Sequence, residues 1–149
     1  MTKHLKALSE LDDWISAHKD HFLKPNLILL FGEMGAGKTT LVSHIVGSLG
    51  GEKGQVSSPT FSLHHLYKTP KLDVDHMDLY RLESEEDLHS SGFFDVVSSH
   101  QNLIFIEWAS RIERNFFLQL NRPVYSIEIK KGTSLEEREI DFHRLGEHL

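Results

Sequence analysis

From residue 27 to residue 49 the chain reads Leu27-Ile28-Leu29-Leu30-Phe31, then Gly32-Glu33-Met34-Gly35-Ala36-Gly37-Lys38-Thr39, then a segment in which Leu41, Val42, Ile45, Val46 and Leu49 recur at helical spacing. No other stretch restricts the fold so tightly. The first part is apolar without alternation, as a strand covered on both faces must be. The last carries Ser43, His44, Gly47 and Ser48 on its other side, the pattern of a helix with one buried stripe. The middle part fits G-x-x-x-x-G-K-[ST], the Walker A phosphate loop, in the strand–loop–helix order that the loop requires.

The residue types follow from the chemistry. Glycines let the backbone curl until successive N–H groups point inward, with no Cβ in the way. The helix that follows aims its free N–H groups and its dipole at the same anion. Gly35, Ala36, Gly37, Lys38, Thr39 and Thr40 are therefore the expected phosphate-binding residues. Lys38 is expected to bridge the β- and γ-phosphates, and the Thr39 hydroxyl to ligate Mg²⁺. The motif implies a bound nucleotide with Mg²⁺.

At 149 residues the chain is long enough for one domain with a real core, and a single P-loop domain over residues 1–149 is expected. The longest apolar run is too short to span a bilayer. The N-terminus leads into an acidic amphipathic stretch instead of a signal-peptide core. Cysteine is absent, which fits a cytoplasmic protein. The net charge is −6 and the 16 Lys and Arg are scattered, which argues against tight nucleic-acid binding by this chain alone. The 11 histidines form no compact zinc pattern, and most are expected at the surface.

Residues 5–22 place Leu5, Leu8, Leu11, Ile15 and either His18 or Phe22 on one side and are expected to form a helix before the first strand. Pro25-Asn26 precede the strand, and Gly50-Gly51 stop the helix after the loop. Val56-Ser57-Ser58-Pro59-Thr60 reads as a stiffened loop, followed by a strand through Tyr67. Leu72 to Asp78 reads as an alternating, acidic strand, forming a hairpin with the preceding one around Thr69-Pro70-Lys71. Ser84 starts a short helix through a capping box, and Gly92 breaks the helical region that runs to residue 99. Leu103 to Ile106 is a second buried strand ending in Glu107, followed by a helix from Arg111 to Leu118. Residues 124–130 and 138–143 alternate as two strands joined near Lys131-Gly132-Thr133. The fold class is α/β, with a parallel centre and antiparallel flanks.

Four residues outside the glycines bear on chemistry. Glu107 ends an apolar strand, where a second Mg²⁺-holding carboxylate stands beside a phosphate loop. Asp78 ends the neighbouring acidic strand and is expected either to order an attacking water or to support the metal shell. Thr60 lies in a loop that reads either as a γ-phosphate-sensing switch or as an ordinary turn. With Lys38, these are the candidate catalytic residues. Asp73 and Asp75 read as solvated strand positions. Side-chain alternation past Glu107 would turn Trp108 away from whatever Glu107 faces, towards the core or a partner surface. The missing N-K-x-D stretch argues against a common GTPase, and no G-x-G-x-x-G marks a dinucleotide site. The missing arginine-rich lid weakens a small-metabolite or nucleoside kinase. A non-catalytic, nucleotide-gated binding module stays open.

In order along the chain stand the phosphate loop through Thr40, then Val56-Ser57-Ser58-Pro59-Thr60-Phe61, His76-Met77-Asp78-Leu79-Tyr80-Arg81 and Ile106-Glu107-Trp108. This set resembles the bacterial TsaE (YjeE) family over about residues 5 to 145. The resemblance implies a P-loop NTPase fold binding ATP or ADP with Mg²⁺ at Thr39 and Glu107, and a weak ATPase. It implies two protein partners, of the TsaB and TsaD type, which place the threonylcarbamoyl group on adenosine 37 of ANN-decoding tRNAs and are reset by the ATPase. Contact with tRNA would be indirect, and no membrane is involved. It also turns the half-exposed Trp108 ring towards the mouth of the site, and suggests nucleotide-base contacts near Lys131 and Leu8. The acidic loop at Glu136-Glu137 departs from the family pattern.

Overall fold

The computed structural model describes residues 2–56 and 64–146. Its strands are β1 (Thr2–Leu5), β2 (Leu27–Phe31), β3 (His64–Tyr67), β4 (Val74–Asp78), β5 (Leu103–Glu107), β6 (Val124–Lys131) and β7 (Arg138–Arg144). They form one seven-stranded sheet in the order β1-β7-β6-β2-β5-β4-β3. The centre, β6-β2-β5-β4, is parallel. Both flanks, β3 on β4 and β1-β7-β6, are antiparallel. The α/β class expected from the sequence is the class observed.

The apolar run of β2 sits in the middle of the sheet, where it is covered on both sides. Ile28 and Leu30 face one cluster, together with Leu103 and Phe105 of β5 and Ile127 and Ile129 of β6. That cluster is closed by α1 (Leu11–Ala17), α2 (Lys19–Phe22) and α3 (Lys38–Ser48), through Trp14, Ile15, Phe22, Leu41, Val42, Ile45 and Val46. Leu27 and Leu29 face the opposite cluster with Met77, Ile104, Ile106 and Val124. There the cover is α4 (Glu85–Ser90), α5 (Phe93–Ser98) and α6 (Arg114–Leu118), through Leu88, Phe93, Val97 and Phe117. The period of two along each strand thus separates a face packed on α3 from a face packed on α4 to α6.

Local signals account for most boundaries. The Ser84 hydroxyl accepts from the Asp87 N–H at 3.1 Å and caps α4. Gly92, at φ 84°, turns the chain between α4 and α5. Three expectations are corrected. The N-terminal segment is not one helix from residue 5: Thr2–Leu5 forms an edge strand on β7, a 3-10 turn follows at Leu8–Glu10, and α1 starts at Leu11. The helix expected from Arg111 is a 3-10 turn at Ala109–Arg111 and then α6 from Arg114, with Ile112 extended between them. Asp75 is buried, because its Oδ1 lies 2.5 Å from His64 Nε2 and its Oδ2 accepts from Asn102 Nδ2 at 3.0 Å.

Asp75 and Asp73 therefore differ in energetic weight although they are two residues apart. Asp73 makes an ion pair with Lys68 at 3.2 Å whose lysine is 78% exposed, a class of pair contributing about 0–1 kcal/mol. Asp75→Ala would remove the buried carboxylate that holds the half-buried Asn102 amide and His64 imidazole, a loss of about 1–3 kcal/mol. Urea midpoints should therefore drop clearly for Asp75→Ala and barely for Asp73→Ala; equal shifts would refute the distinction.

Candidate functional site

The phosphate loop lies between β2 and α3, at the ends of the parallel strands. Gly32 (φ 153°) is required for packing: a Cβ there would stand 2.7 Å from the Ile129 carbonyl oxygen. Gly37 (φ 114°) differs, since a Cβ would meet nothing within 4 Å. Its glycine serves a left-handed backbone and keeps the space before α3 open. The N–H groups of Gly37, Lys38 and Thr39 carry no hydrogen bond among the described residues, as expected at the first turn of a helix. They are donors at the N-terminal end of α3.

Lys38 is not a surface lysine. It is 8% exposed, and its ammonium donates to the carbonyls of Gly32 and Glu33, the latter at 3.4 Å. The same Nζ stands 5.5 Å from the centre of the Trp108 ring, within cation–π range. The loop carbonyls and the ring face together keep a buried cation satisfied. Thr39 follows in the first turn of α3, half-buried, and Thr40 is exposed beside it.

Across from the loop, β4 and β5 end together. Asp78 and Glu107 are register partners in the parallel ladder. By alternation from Val74, Leu103 and Phe105 they face the α3 side of the sheet. Both are buried, at 9% and 3% exposure. Burial pushes the Asp78 carboxyl above its ordinary range, and the adjacent Glu107 carboxylate adds to the push. The Tyr80 N–H, bound to Asp78 Oδ1 at 2.9 Å, pulls the other way, as do His76 and Lys38. Lys38, Asp78 and Glu107 thus share one electrostatic environment. Thr60 lies outside the described residues.

Two neighbours of this pair depart from expectation. His76 belongs to no surface: it is fully buried, with Nε2 2.5 Å from Glu107 Oε2. Sequence reading missed it, although it stands two residues before Asp78 and so on the same strand face. Trp108 does not continue the alternation. Its backbone is left-handed (φ 59°, ψ 37°), the only positive φ outside glycine among the described residues. The strand stops at Glu107, and the ring turns back over Lys38 and against Tyr80, 4.8 Å between centroids. It is half-buried at the mouth of the site.

Beside the loop, on the side away from these carboxylates, opens a cavity of about 240 Å³. Leu5, Leu8, Leu11, Leu41, Ile129 and Ile140 make it apolar, and Thr40, Glu136 and Arg138 supply its polar edge. Arg138 Nε donates to the Ala36 carbonyl at 2.8 Å and ties the β6–β7 connection to the loop. Leu8 lines this cavity; Lys131 lies instead with its Nζ 3.9 Å from Glu33 Oε1.

A parallel-centred α/β sheet with a glycine loop joining a buried strand to a helix defines a P-loop fold. Comparison with known proteins gives the family. Residues 3–140 match the model of the threonylcarbamoyl adenosine biosynthesis protein TsaE. The chain is 38% identical over 109 residues to the tRNA threonylcarbamoyladenosine biosynthesis protein TsaE of Rickettsia prowazekii, covering 72% of each. It is 39% identical over 127 residues to the TsaE protein of Bacillus subtilis, covering 84% of this chain and 74% of that one. The crystal structure of Bacillus subtilis YdiB superposes with a TM-score of 0.64 at 26% identity, over 98% of this chain and 86% of that one. The chain belongs to the TsaE family.

The raised Asp78 pKa has a definite sign in stability. Above that pKa the ionised carboxylate bears the cost of burial and of Glu107; below about 3.9, the usual carboxylate value, the group is protonated in both folded and unfolded chains and the cost disappears. Asp78→Asn retains an oxygen acceptor for the Tyr80 N–H and removes the charge. It should raise the denaturant midpoint at pH 7, and the gain should vanish as the pH is lowered through the raised pKa to below 3.9. A gain that grew on acidification would contradict the assignment.

Proposed function

We propose that this chain is an ATP-binding, Mg²⁺-dependent weak ATPase serving threonylcarbamoylation of adenosine 37 in tRNAs that read ANN codons. It acts with two partner proteins of the threonylcarbamoyl-transfer complex, of the TsaB and TsaD type, and resets that complex between turnovers. The observation that carries this reading is the convergence of a phosphate loop, a buried lysine and two carboxylates in a chain of the TsaE family.

Each part has a physical role. The N–H groups at the start of α3 and the Lys38 ammonium bind phosphate oxygens; an arriving phosphate gives Lys38 a better acceptor than the carbonyls of Gly32 and Glu33 it holds here. The Thr39 hydroxyl and the Glu107 carboxylate are hard oxygen donors of the kind Mg²⁺ takes, and Mg²⁺ neutralises charge developing on the phosphates. Glu107 Oε1 has no hydrogen-bond partner among the described residues, so it is available to a cation. Asp78, held less acidic than a solvated carboxyl, would accept a hydrogen bond from the attacking water or from water on the metal. The apolar cavity beside Ala36 and Gly37 suits a nucleotide base, and Trp108 and Tyr80 offer the partners an aromatic surface beside the phosphates. The net charge of −6 leaves most contact with tRNA to the partners.

Lys38→Ala should lose about 1.5–3 kcal/mol of ATP binding, roughly a tenfold to hundredfold weaker affinity by calorimetry. Thr39→Ala and Glu107→Ala should each abolish Mg²⁺-dependent turnover, with the double variant no worse, because one metal site fails as a unit. Additive losses would assign the two residues to separate steps. Depletion of the protein should lower threonylcarbamoyladenosine in bulk tRNA; an unchanged level would overturn the functional reading.

A further inference from the structure

His76 is a fully buried imidazole on the strand that ends in Asp78. Its Nε2 lies 2.5 Å from Glu107 Oε2, and its Nδ1 lies 3.2 Å from the Tyr67 hydroxyl on β3. That hydroxyl lies in turn 3.3 Å from His65 Nδ1. An ionised carboxylate only accepts, so the hydrogen between His76 and Glu107 sits on Nε2. The same tautomer makes Nδ1 an acceptor for the Tyr67 O–H, and leaves the hydroxyl oxygen to accept from His65. The hydrogen bonds then run in one direction, from the edge strand β3 to the end of β5.

Strand pairing does not need this chain of contacts, since β4 is already held by ladders to β3 and β5. An apolar side chain at position 76 would fill the same core without a polar group to satisfy. What the imidazole adds is control of a carboxylate: it occupies Oε2 and leaves Oε1 as the oxygen with no partner among the described residues. Resting on the reading of Glu107 as a metal-holding residue, we infer that His76, oriented by the Tyr67 hydroxyl, is a positioning residue that fixes the Glu107 carboxylate for the cation it shares with Thr39. Hydrogen-bond partners of metal-holding side chains are typically worth tenfold to a hundredfold in metal affinity.

The test is Mn²⁺ binding to the full chain saturated with ADP, read from the paramagnetic resonance signal of free Mn²⁺, alongside ADP affinity measured in chelator. His76→Gln keeps an N–H donor near the Nε2 position, whereas the His76→Asn amide is too short to reach Glu107. His76→Asn should weaken Mn²⁺ binding by about tenfold to a hundredfold, His76→Gln should restore most of it, and neither should change metal-free ADP affinity. Equal losses in both variants, or none in His76→Asn, overturn the inference. Should His76→Asn not fold, Tyr67→Phe removes only the orienting hydroxyl; it should give a smaller but measurable loss, and unchanged Mn²⁺ affinity there is equally fatal. Glu107→Ala separates the two levels. If it leaves Mn²⁺ binding intact, the metal reading falls and takes the inference with it. If it abolishes binding while His76→Asn does not, only the positioning role fails.

Discussion

A buried ammonium facing a buried pair of carboxylates is the constraint on which the rest of this structure turns. Asp78 and Glu107 end adjacent parallel strands, and neighbouring strands lie about 4.8 Å apart. Two carboxylates brought side by side and buried repel when both are ionised, with little water to screen them. The fold bears this through several partial compensations. The Tyr80 N–H holds Asp78, His76 holds Glu107, and Lys38 lies within electrostatic reach of Asp78. The raised pKa of Asp78 comes first from burial of its carboxyl, and the Glu107 charge adds to it. Stability forgone in this way is a common feature of functional constellations.

Lys38 shows the same economy from the other side. Its ammonium rests on loop carbonyls and under the Trp108 ring. That ring reaches Lys38 only because Trp108 adopts a left-handed backbone at the point where β5 ends. For a bulky residue this conformation is unusual and costs of order 1–3 kcal/mol. An extended Trp108 would continue the strand and carry its ring to the other face. The strained turn is thus what brings an aromatic surface next to the phosphate loop.

Much of this was legible in the chain itself. A run apolar on both faces can only be a central strand, so β2 and β5 were readable, and so was the loop between β2 and α3. Ser84 and Gly92 act through contacts within a few residues of themselves, and such signals survive in sequence. The features that escaped depend on partners far along the chain. β1 buries only Leu5, so no alternation marks it; β7 makes it a strand. His76 and Asp75 look like solvated polar residues until Glu107, Asn102 and His64 are placed beside them. Trp108 escaped for a different reason: alternation holds only while the backbone stays extended.

The polar residues of the site also follow an order along the strands. On the α3 face β4 presents Val74, His76 and Asp78, and β5 presents Leu103, Phe105 and Glu107. Each strand begins in the apolar core and ends in a carboxylate, and His76 marks the transition. Because the period is two, a one-residue change in facing would turn Asp75 and Met77 towards α3 and bury His76 and Asp78 among the apolar side chains of α4 and α5. Neither face would then be satisfied: Asp75 would leave Asn102 and His64 behind, and Met77 would leave the cluster it packs in. The polar and apolar residues therefore hold the same register, and the geometry that places two carboxylates beside the phosphate loop is also the one that closes both halves of the core.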